Sequence, residues 1–133
     1  MSAVRFDRVV LAALAVLFVA TVPAVAVATT VRLMTSAGAI DIKLHDAAAP
    51  RTVANFLAYV QGGAYRNSFV HRSVPGFVIQ GGGYAWDDAT NKVVDVPGRP
   101  PVVNEFSASR SNRRGTIAMA KLGGDPNSAT SQW

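Results

Sequence analysis

Cysteine is absent from the chain, which has 133 residues and two histidines. This absence excludes disulfides, thiolate metal ligands and cysteine nucleophiles, and it is compatible with any compartment. The histidines, His45 and His71, lie in different segments, so neither predicts a metal site. The glycines at 81–83 lack the lysine and the strand-to-helix context of a phosphate-binding loop. We expect these glycines to permit close backbone packing instead.

Acidic residues are outnumbered, which leaves a formal charge of +5 and a pI near 10.2. A basic pI can indicate a nucleic-acid-binding protein. Much of the excess lies in Arg110, Arg113 and Arg114, where no aromatic residues are interleaved for base stacking. We therefore interpret these arginines as a solvated basic loop and expect no nucleic-acid partner. The length allows one small domain with a core.

Residues 1–28 have the order of a secretory signal peptide. Arg5 and Arg8 precede an apolar run at 9–20, and small residues in an A-x-A pattern follow up to Ala28. Cleavage after Ala26 or Ala28 would export residues 29–133, and we expect a periplasmic location with no stable membrane association afterwards. The alternative is a retained membrane anchor, because the apolar stretch reaches the roughly 20 residues that span a bilayer. Pro23 and the repeated alanines favour cleavage.

Local patterns predict a hairpin followed by a helix. Residues 31–35 and 39–44 alternate apolar and polar side chains, as expected for two strands with one buried face. Pro50 opens a predicted helix over 50–61, which Gly62 and Gly63 end. Its apolar stripe, at i, i+3, i+4 and i+7 spacing, consists of Val53, Phe56, Leu57 and Val60.

The later part of the chain has weaker patterns. Residues 83–101 show no sustained period and are interpreted as a long excursion over the surface. We expect a short strand or 3₁₀ turn over 102–106, a buried strand over 116–120, a loop over 122–128, and the start of a strand at 131–133. Internal repeats are absent from the sequence.

Two short runs, 68–72 and 77–80, predict a second hairpin. The residues between them, Ser73-Val74-Pro75-Gly76, contain the proline and glycine typical of a type II turn. Such a hairpin would bring His71, Arg72 and Gln80 beside the ring of Phe77. A cation, an amide and an apolar ring on one rigid hairpin are a plausible ligand site.

This stretch, YRNSFVHRSVPGFVIQGGG, resembles the signature F-H-R-x-x-P-G-F-x-x-Q-G-G of the cyclophilin family of peptidyl-prolyl isomerases. The resemblance extends from residue 31 to the motifs GTIAMA at 115–120 and SATSQ at 128–132. It implies an all-β fold over 29–133, an antiparallel barrel that is eight-stranded and capped by two helices in the family. Family members continue beyond the position of Trp133 with further strands and a second helix. We therefore expect an incomplete barrel, as in a chain truncated at its C-terminus.

The resemblance also implies a peptidyl-prolyl cis–trans isomerase that needs no cofactor or metal and acts as a monomer on proline-containing polypeptide segments. Arg72 would be catalytic, because a guanidinium that donates to the prolyl nitrogen stabilises the twisted peptide bond. Phe77 would form the floor of the proline pocket, and Gln80 would hold the substrate carbonyl. The other substrate-binding positions are His71, Val78, Ala120 and Gln132.

Less specific interpretations of the same residues stay open. Arg72 would otherwise be a paired surface arginine, Phe77 a core aromatic, Gln80 an outward-facing polar residue and His71 a hydrogen-bonded structural histidine. For the whole chain, the alternatives are a module that binds proline peptides without turnover and an inactive fragment. Isomerase kinetics separate the first alternative from an enzyme, and solubility separates the second from both.

Overall fold

The structure is a computed structural model that describes residues 28–133. In this part the elements are mainly strands with one α-helix, α1, over Pro50–Gln61, as predicted. The strands are β1 (Thr30–Thr35), β2 (Gly38–Lys43), β3 (Arg72–Val74), β4 (Val78–Gln80), β5 (Tyr84–Asp87) and β6 (Lys92–Asp95). A 3₁₀ turn spans Ala108–Arg110. Apart from Ala28, the predicted signal peptide lies outside the described residues.

Strands β1 and β2 form the predicted antiparallel hairpin, with Val31 opposite Ile42. Both of these side chains are buried, while Arg32 and Asp41 pair on the exposed face with Nε and Oδ1 2.6 Å apart. The period-two alternation therefore separates a core face from a solvent face, as the sequence predicted.

Helix α1 covers the buried face of this hairpin. Val53 and Phe56 of the predicted stripe join Val31, Ile42 and Leu44 in the core, and Leu57 and Val60 pack at its edge. The helix ends at Gln61, and Gly63 supplies the left-handed conformation beyond it, with a φ of 68°. Asn55 and Tyr59 are also buried, although the apolar stripe predicted from the sequence did not include them.

The second hairpin, β3–β4, is confirmed, but its turn starts one residue later than predicted. The N–H of Phe77 donates to the carbonyl of Val74 over 3.1 Å, and Gly76 has a φ of 75°. A type II turn requires positive φ at its third position and often has proline at its second, so Gly76 and Pro75 make Val74 its first residue. Phe77 consequently lies at the end of the turn instead of in a strand.

The long surface excursion predicted over 83–101 contains an antiparallel hairpin, β5–β6, which the sequence did not predict. Asn91 adopts a φ of 51°, which turns the chain back. The side chain of Asp87 accepts hydrogen bonds from Ala89 N–H and the Thr90 hydroxyl, and these stabilise the loop. Four-residue strands are too short to show a sustained period, which explains the omission.

The predicted buried strand over 116–120 is wrong. Residues 116–118 are exposed, and Ala120 is joined by its N–H to the carbonyl of Gln132. Near 102–106 there is an isolated bridge between Val102 and Ala129, and the 3₁₀ turn falls later in the chain. Residues 122–128 form the expected loop. Residues 131–133 are not assigned to a strand, although Gly81 and Trp133 exchange two backbone hydrogen bonds.

The six strands pair as three separate two-stranded sheets within residues 28–133. The sheets do not close into a barrel there, as expected for an incomplete one. Their unpaired edges are accompanied by exposed apolar side chains, including Phe69, Val70, Ile79, Tyr84 and Trp86. None of the helices in this described range is long and apolar enough to cross a membrane.

Candidate functional site

The site is built on the segment 129–133, whose backbone is held by five different parts of the chain. The carbonyls of Ala129, Thr130 and Ser131 accept hydrogen bonds from Val102 N (3.0 Å), Asn55 Nδ2 (2.7 Å) and Tyr65 Oη (2.6 Å), respectively. Those of Gln132 and Trp133 accept from Ala120 N and Gly81 N, each over 2.9 Å. Since buried carbonyls need partners, this arrangement leaves the segment little freedom to shift. It places Gln132 against the β3–β4 hairpin.

A chain of side-chain hydrogen bonds joins Gln132 to Arg72 through Gln80. Arg72 and Gln80 are directly opposite in the β3–β4 ladder, and Arg72 Nη1 donates to Gln80 Oε1 over 3.1 Å. Gln80 Nε2 donates in turn to Gln132 Oε1 over 2.7 Å. The amide oxygen of Gln80 thus faces the cation, which fixes the direction of the guanidinium.

The guanidinium of Arg72 lies over the ring of Phe77, 5.7 Å from its centroid. This is the proximity that the sequence predicted. Phe77, the predicted floor of the proline pocket, is 75% exposed. Val78, the next residue, is half-buried and pairs with Val74 across the hairpin.

His71 packs behind this surface. Its backbone N–H donates to the carbonyl of Gln80 over 3.1 Å, and its ring meets Tyr84 edge-on with centroids 5.0 Å apart. The Nδ1 atom is buried and has no hydrogen-bond partner among the described residues. The ring packs on an aromatic partner, which favours a structural role.

The glycines at 81–83 are packed flat against the segment 131–133. A Cβ atom on Gly82 would lie 2.7 Å from the carbonyl oxygen of Ser131, and Gly82 also has a φ of 75°. A Cβ on Gly81 would lie 2.9 Å from the indole of Trp133. Any larger residue would push this segment, and Gln132 with it, away from Gln80.

Of the predicted site residues, Arg72, Phe77, Gln80 and Gln132 are joined by direct side-chain contacts. His71 and Ala120 adjoin them through backbone hydrogen bonds, to Gln80 and Gln132 respectively. The roles assigned to these residues stay predictions. Sequence reasoning missed the supporting residues Asn55, Tyr65 and Trp133. Asn55 could have been identified from the sequence, because it is a polar residue on the core face of α1.

Tyr65 is held within an aromatic cluster. Its ring lies 5.7 Å from that of Phe56 and 5.6 Å from that of Tyr59, measured between centroids. Burial and the neighbouring Tyr59 raise the pKa of Tyr65 well above its ordinary value. Its hydroxyl therefore remains protonated and able to donate to Ser131.

A concave space in the described part lies elsewhere. A cavity of about 90 Å³ is bounded by the end of β2, by α1 and by residues 117–119. It is apolar and contains none of the predicted site residues. The surface around Arg72 is instead open, since both Arg72 and Phe77 are exposed.

Comparison with known proteins is consistent with this geometry. Residues 30–133 match the family model described as cyclophilin type peptidyl-prolyl cis-trans isomerase/CLD. Peptidyl-prolyl cis-trans isomerase A of Dickeya dadantii is 45% identical over 108 residues, which cover 79% of this chain and 52% of the relative. For cyp18 of Streptomyces antibioticus the identity is 44% over 104 residues, covering 78% and 59%.

Solved structures of cyclophilin type isomerases are also similar to this chain. A Cryptosporidium parvum cyclophilin type isomerase, crystallised in the presence of the dipeptide Ala-Pro, has a TM-score of 0.62 and 29% identity, covering 78% of this chain and 65% of that one. The same protein without the dipeptide has a TM-score of 0.63, with 80% and 65% covered. The chain spans about half the length of the curated relatives it matches. Its match to the family model extends over nearly all of the described residues, and the chain therefore belongs to the cyclophilin-type peptidyl-prolyl cis–trans isomerase family.

Proposed function

We propose that this chain accelerates cis–trans isomerisation of X–Pro peptide bonds in unfolded or exposed protein segments. The single observation that carries the proposal is the guanidinium of Arg72, which is oriented by Gln80 and lies over the ring of Phe77.

The chemistry requires little more than this arrangement. Rotation about a peptide bond faces a barrier of about 18–20 kcal/mol, because resonance gives the C–N bond double-bond character. In the twisted state the nitrogen lone pair is localised and accepts a hydrogen bond. Arg72 uses one N–H to hold Gln80, and a guanidinium has five, so others remain for the prolyl nitrogen. That bond strengthens only in the twisted state and lowers the barrier.

The substrate carbonyl would be held by the amide of Gln80. One hydrogen of its Nε2 is donated to Gln132, and the second is available. The proline ring would pack on the exposed face of Phe77. The related structure crystallised in the presence of Ala-Pro supports a proline-containing ligand. The reaction breaks no bond to hydrogen, so it needs neither a general base nor a cofactor.

The same proposal includes the cellular setting. The order of charged, apolar and small residues in 1–28 supports export with cleavage after Ala26 or Ala28, and a periplasmic location. The exported part would act as a monomer on proline-containing segments, without nucleic acid and without stable attachment to a membrane.

The exposure of Phe77 favours a second candidate function, binding of proline peptides without turnover. An exposed ring can hold a proline ring on one face while it leaves the twisted state poorly enclosed. The isomerase and the binding module differ in turnover of the peptide and not in affinity for it.

Isomerisation of a short X–Pro peptide by the full 133-residue chain tests the proposal. Arg72→Ala should lower kcat/KM about 100-fold, the cost of removing a donor aimed at a transition state. Arg113→Ala is the matched control, because Arg113 is exposed in the basic loop, and it should leave the rate unchanged. Peptide binding with no catalysis in the unsubstituted chain would favour the binding module, and equal catalysed rates with and without the Arg72 guanidinium would exclude Arg72 from the chemistry.

A further inference from the structure

Two side chains anchor the segment that carries Gln132. Asn55 donates to the carbonyl of Thr130 over 2.7 Å, and Tyr65 donates to the carbonyl of Ser131 over 2.6 Å. The Ser131 carbonyl belongs to the same planar peptide group as the N–H of Gln132. Because that group rotates as one rigid unit, holding its oxygen also sets the Cα position of Gln132.

We propose that Tyr65 is a positioning residue for the site, which acts through Gln132 and Gln80 on the direction of the Arg72 guanidinium. Its effect on catalysis rests on the proposed isomerase function. Its effect on the side-chain geometry does not.

The Ser131 carbonyl is confined from two sides. The hydroxyl of Tyr65 binds it on one side, and the backbone of Gly82 lies so close on another that a Cβ there would be 2.7 Å from the oxygen. Ser131 itself is 5% exposed, so water has little access to replace the hydroxyl. Loss of the Tyr65 hydroxyl would leave a buried acceptor that must move to find a partner.

Two short side-chain hydrogen bonds connect the position of Gln132 to the direction of the Arg72 guanidinium. Gln132 Oε1 accepts from Gln80 Nε2 at 2.7 Å, and Gln80 Oε1 accepts from Arg72 Nη1 at 3.1 Å. Hydrogen bonds weaken steeply with distance and misalignment. A displacement of Gln132 therefore loosens Gln80, and through it the guanidinium.

Tyr59 provides a matched control within the same aromatic cluster. Its hydroxyl also makes a 2.6 Å hydrogen bond, but the donor is the backbone N–H of Arg99, remote from Gln132. Tyr59→Phe and Tyr65→Phe each remove one oxygen and leave the ring in place. A purely structural role would give both substitutions similar consequences.

Kinetics on the full chain give the first test. Tyr65→Phe should lower kcat/KM about three- to tenfold, the value of one hydrogen bond, with the loss mainly in kcat. Tyr59→Phe should leave kcat/KM unchanged at a temperature where both variants are folded. In a Gln132→Ala background, Tyr65→Phe should cause no further loss, because Tyr65 acts through Gln132. Equal losses from the two tyrosines, or full additivity with Gln132→Ala, would overturn the proposal.

A second measurement is independent of activity. In ¹H–¹⁵N NMR spectra of the full chain, Tyr65→Phe should shift the side-chain amide signals of Gln80 and Gln132 and the Nε–H signal of Arg72. Tyr59→Phe should leave these three signals in place. If Tyr65→Phe moves none of them in a folded protein, Tyr65 is not a positioning residue. Shifted signals in a chain that does not isomerise peptides would support the positioning role and contradict the proposed function instead.

Discussion

The carboxylate of Glu105 accepts two hydrogen bonds from Thr52, from its backbone N–H and from its hydroxyl, each at 2.8 Å. A third comes from the N–H of Arg51 at 3.2 Å. The residue before α1, Ala49, makes no side-chain capping bond among the described residues. Glu105 therefore satisfies the free N–H groups of this helix from 53 positions away and ties the loop after Val102 to it.

Replacement of Glu105 should make the protein less stable and less sensitive to acid. Partial burial acts to raise the pKa of Glu105, but the hydrogen bonds from Thr52 and Arg51 and the charge of Arg51 outweigh it and hold the pKa below its ordinary value. The stabilisation is thus present above the ordinary carboxyl pKa and lost as pH falls through the lowered one. Glu105→Gln should reduce the free energy of unfolding by about 0.5–1 kcal/mol near pH 7 and by less in acid.

Urea unfolding at several pH values measures this difference. A Glu105→Gln variant with the same stability as the original at every pH would show that the carboxylate does not cap the helix.

Gly82→Ala should destabilise the protein, whereas Gly123→Ala should not. At Gly82 the new Cβ would meet the Ser131 carbonyl at 2.7 Å on a backbone with a φ of 75°. At Gly123 no described atom beyond the two neighbouring residues lies within 4 Å of that position. We expect losses of about 2–4 kcal/mol at Gly82, from crowding and left-handed strain, and less than about 0.5 kcal/mol at Gly123. Unfolding followed by circular dichroism compares them, and equal midpoints would contradict the packing described here.

Extension of the chain should increase isomerase activity. Phe77 is 75% exposed, so a proline ring bound there gains apolar contact from one side. A second aromatic wall would add about 1.5–3 kcal/mol of burial, which corresponds to about ten- to a hundredfold in rate. A chimera that continues after Trp133 with the corresponding part of the Dickeya dadantii relative, of which this chain covers 52%, tests whether that part adds such a wall. The gain should be absent when the chimera carries Arg72→Ala; an equal gain in that variant would exclude Arg72 from the chemistry.

Export should remove the first 26 or 28 residues. Both predicted cleavage sites use Ala26 as one of their two small residues, so Ala26→Leu should block processing at either. Mass spectrometry of the protein from a bacterium with a periplasm would identify the mature N-terminus. An intact N-terminus in the membrane fraction of the unsubstituted protein would identify a retained anchor.

The parts of the fold that depend on near neighbours were predictable. Alternation over 31–44 and the apolar stripe of α1 identify the first hairpin and the helix, because each side chain's direction follows from a local period. The β3–β4 turn was misplaced by one residue, and β5–β6 was missed because its strands are short. Arg72, Phe77 and Gln80 were expected together because one hairpin carries all three.

The sequence by itself determined these local elements and, by resemblance to a family, the residues that would act on a proline. The tertiary structure alone decided how they are held. The bonds from Asn55 to Thr130, Tyr65 to Ser131 and Gln80 to Gln132 join positions 75, 66 and 52 residues apart. No periodicity relates such positions, since their meeting depends on how every intervening element packs. The direction of the Arg72 guanidinium is therefore a property of the folded chain.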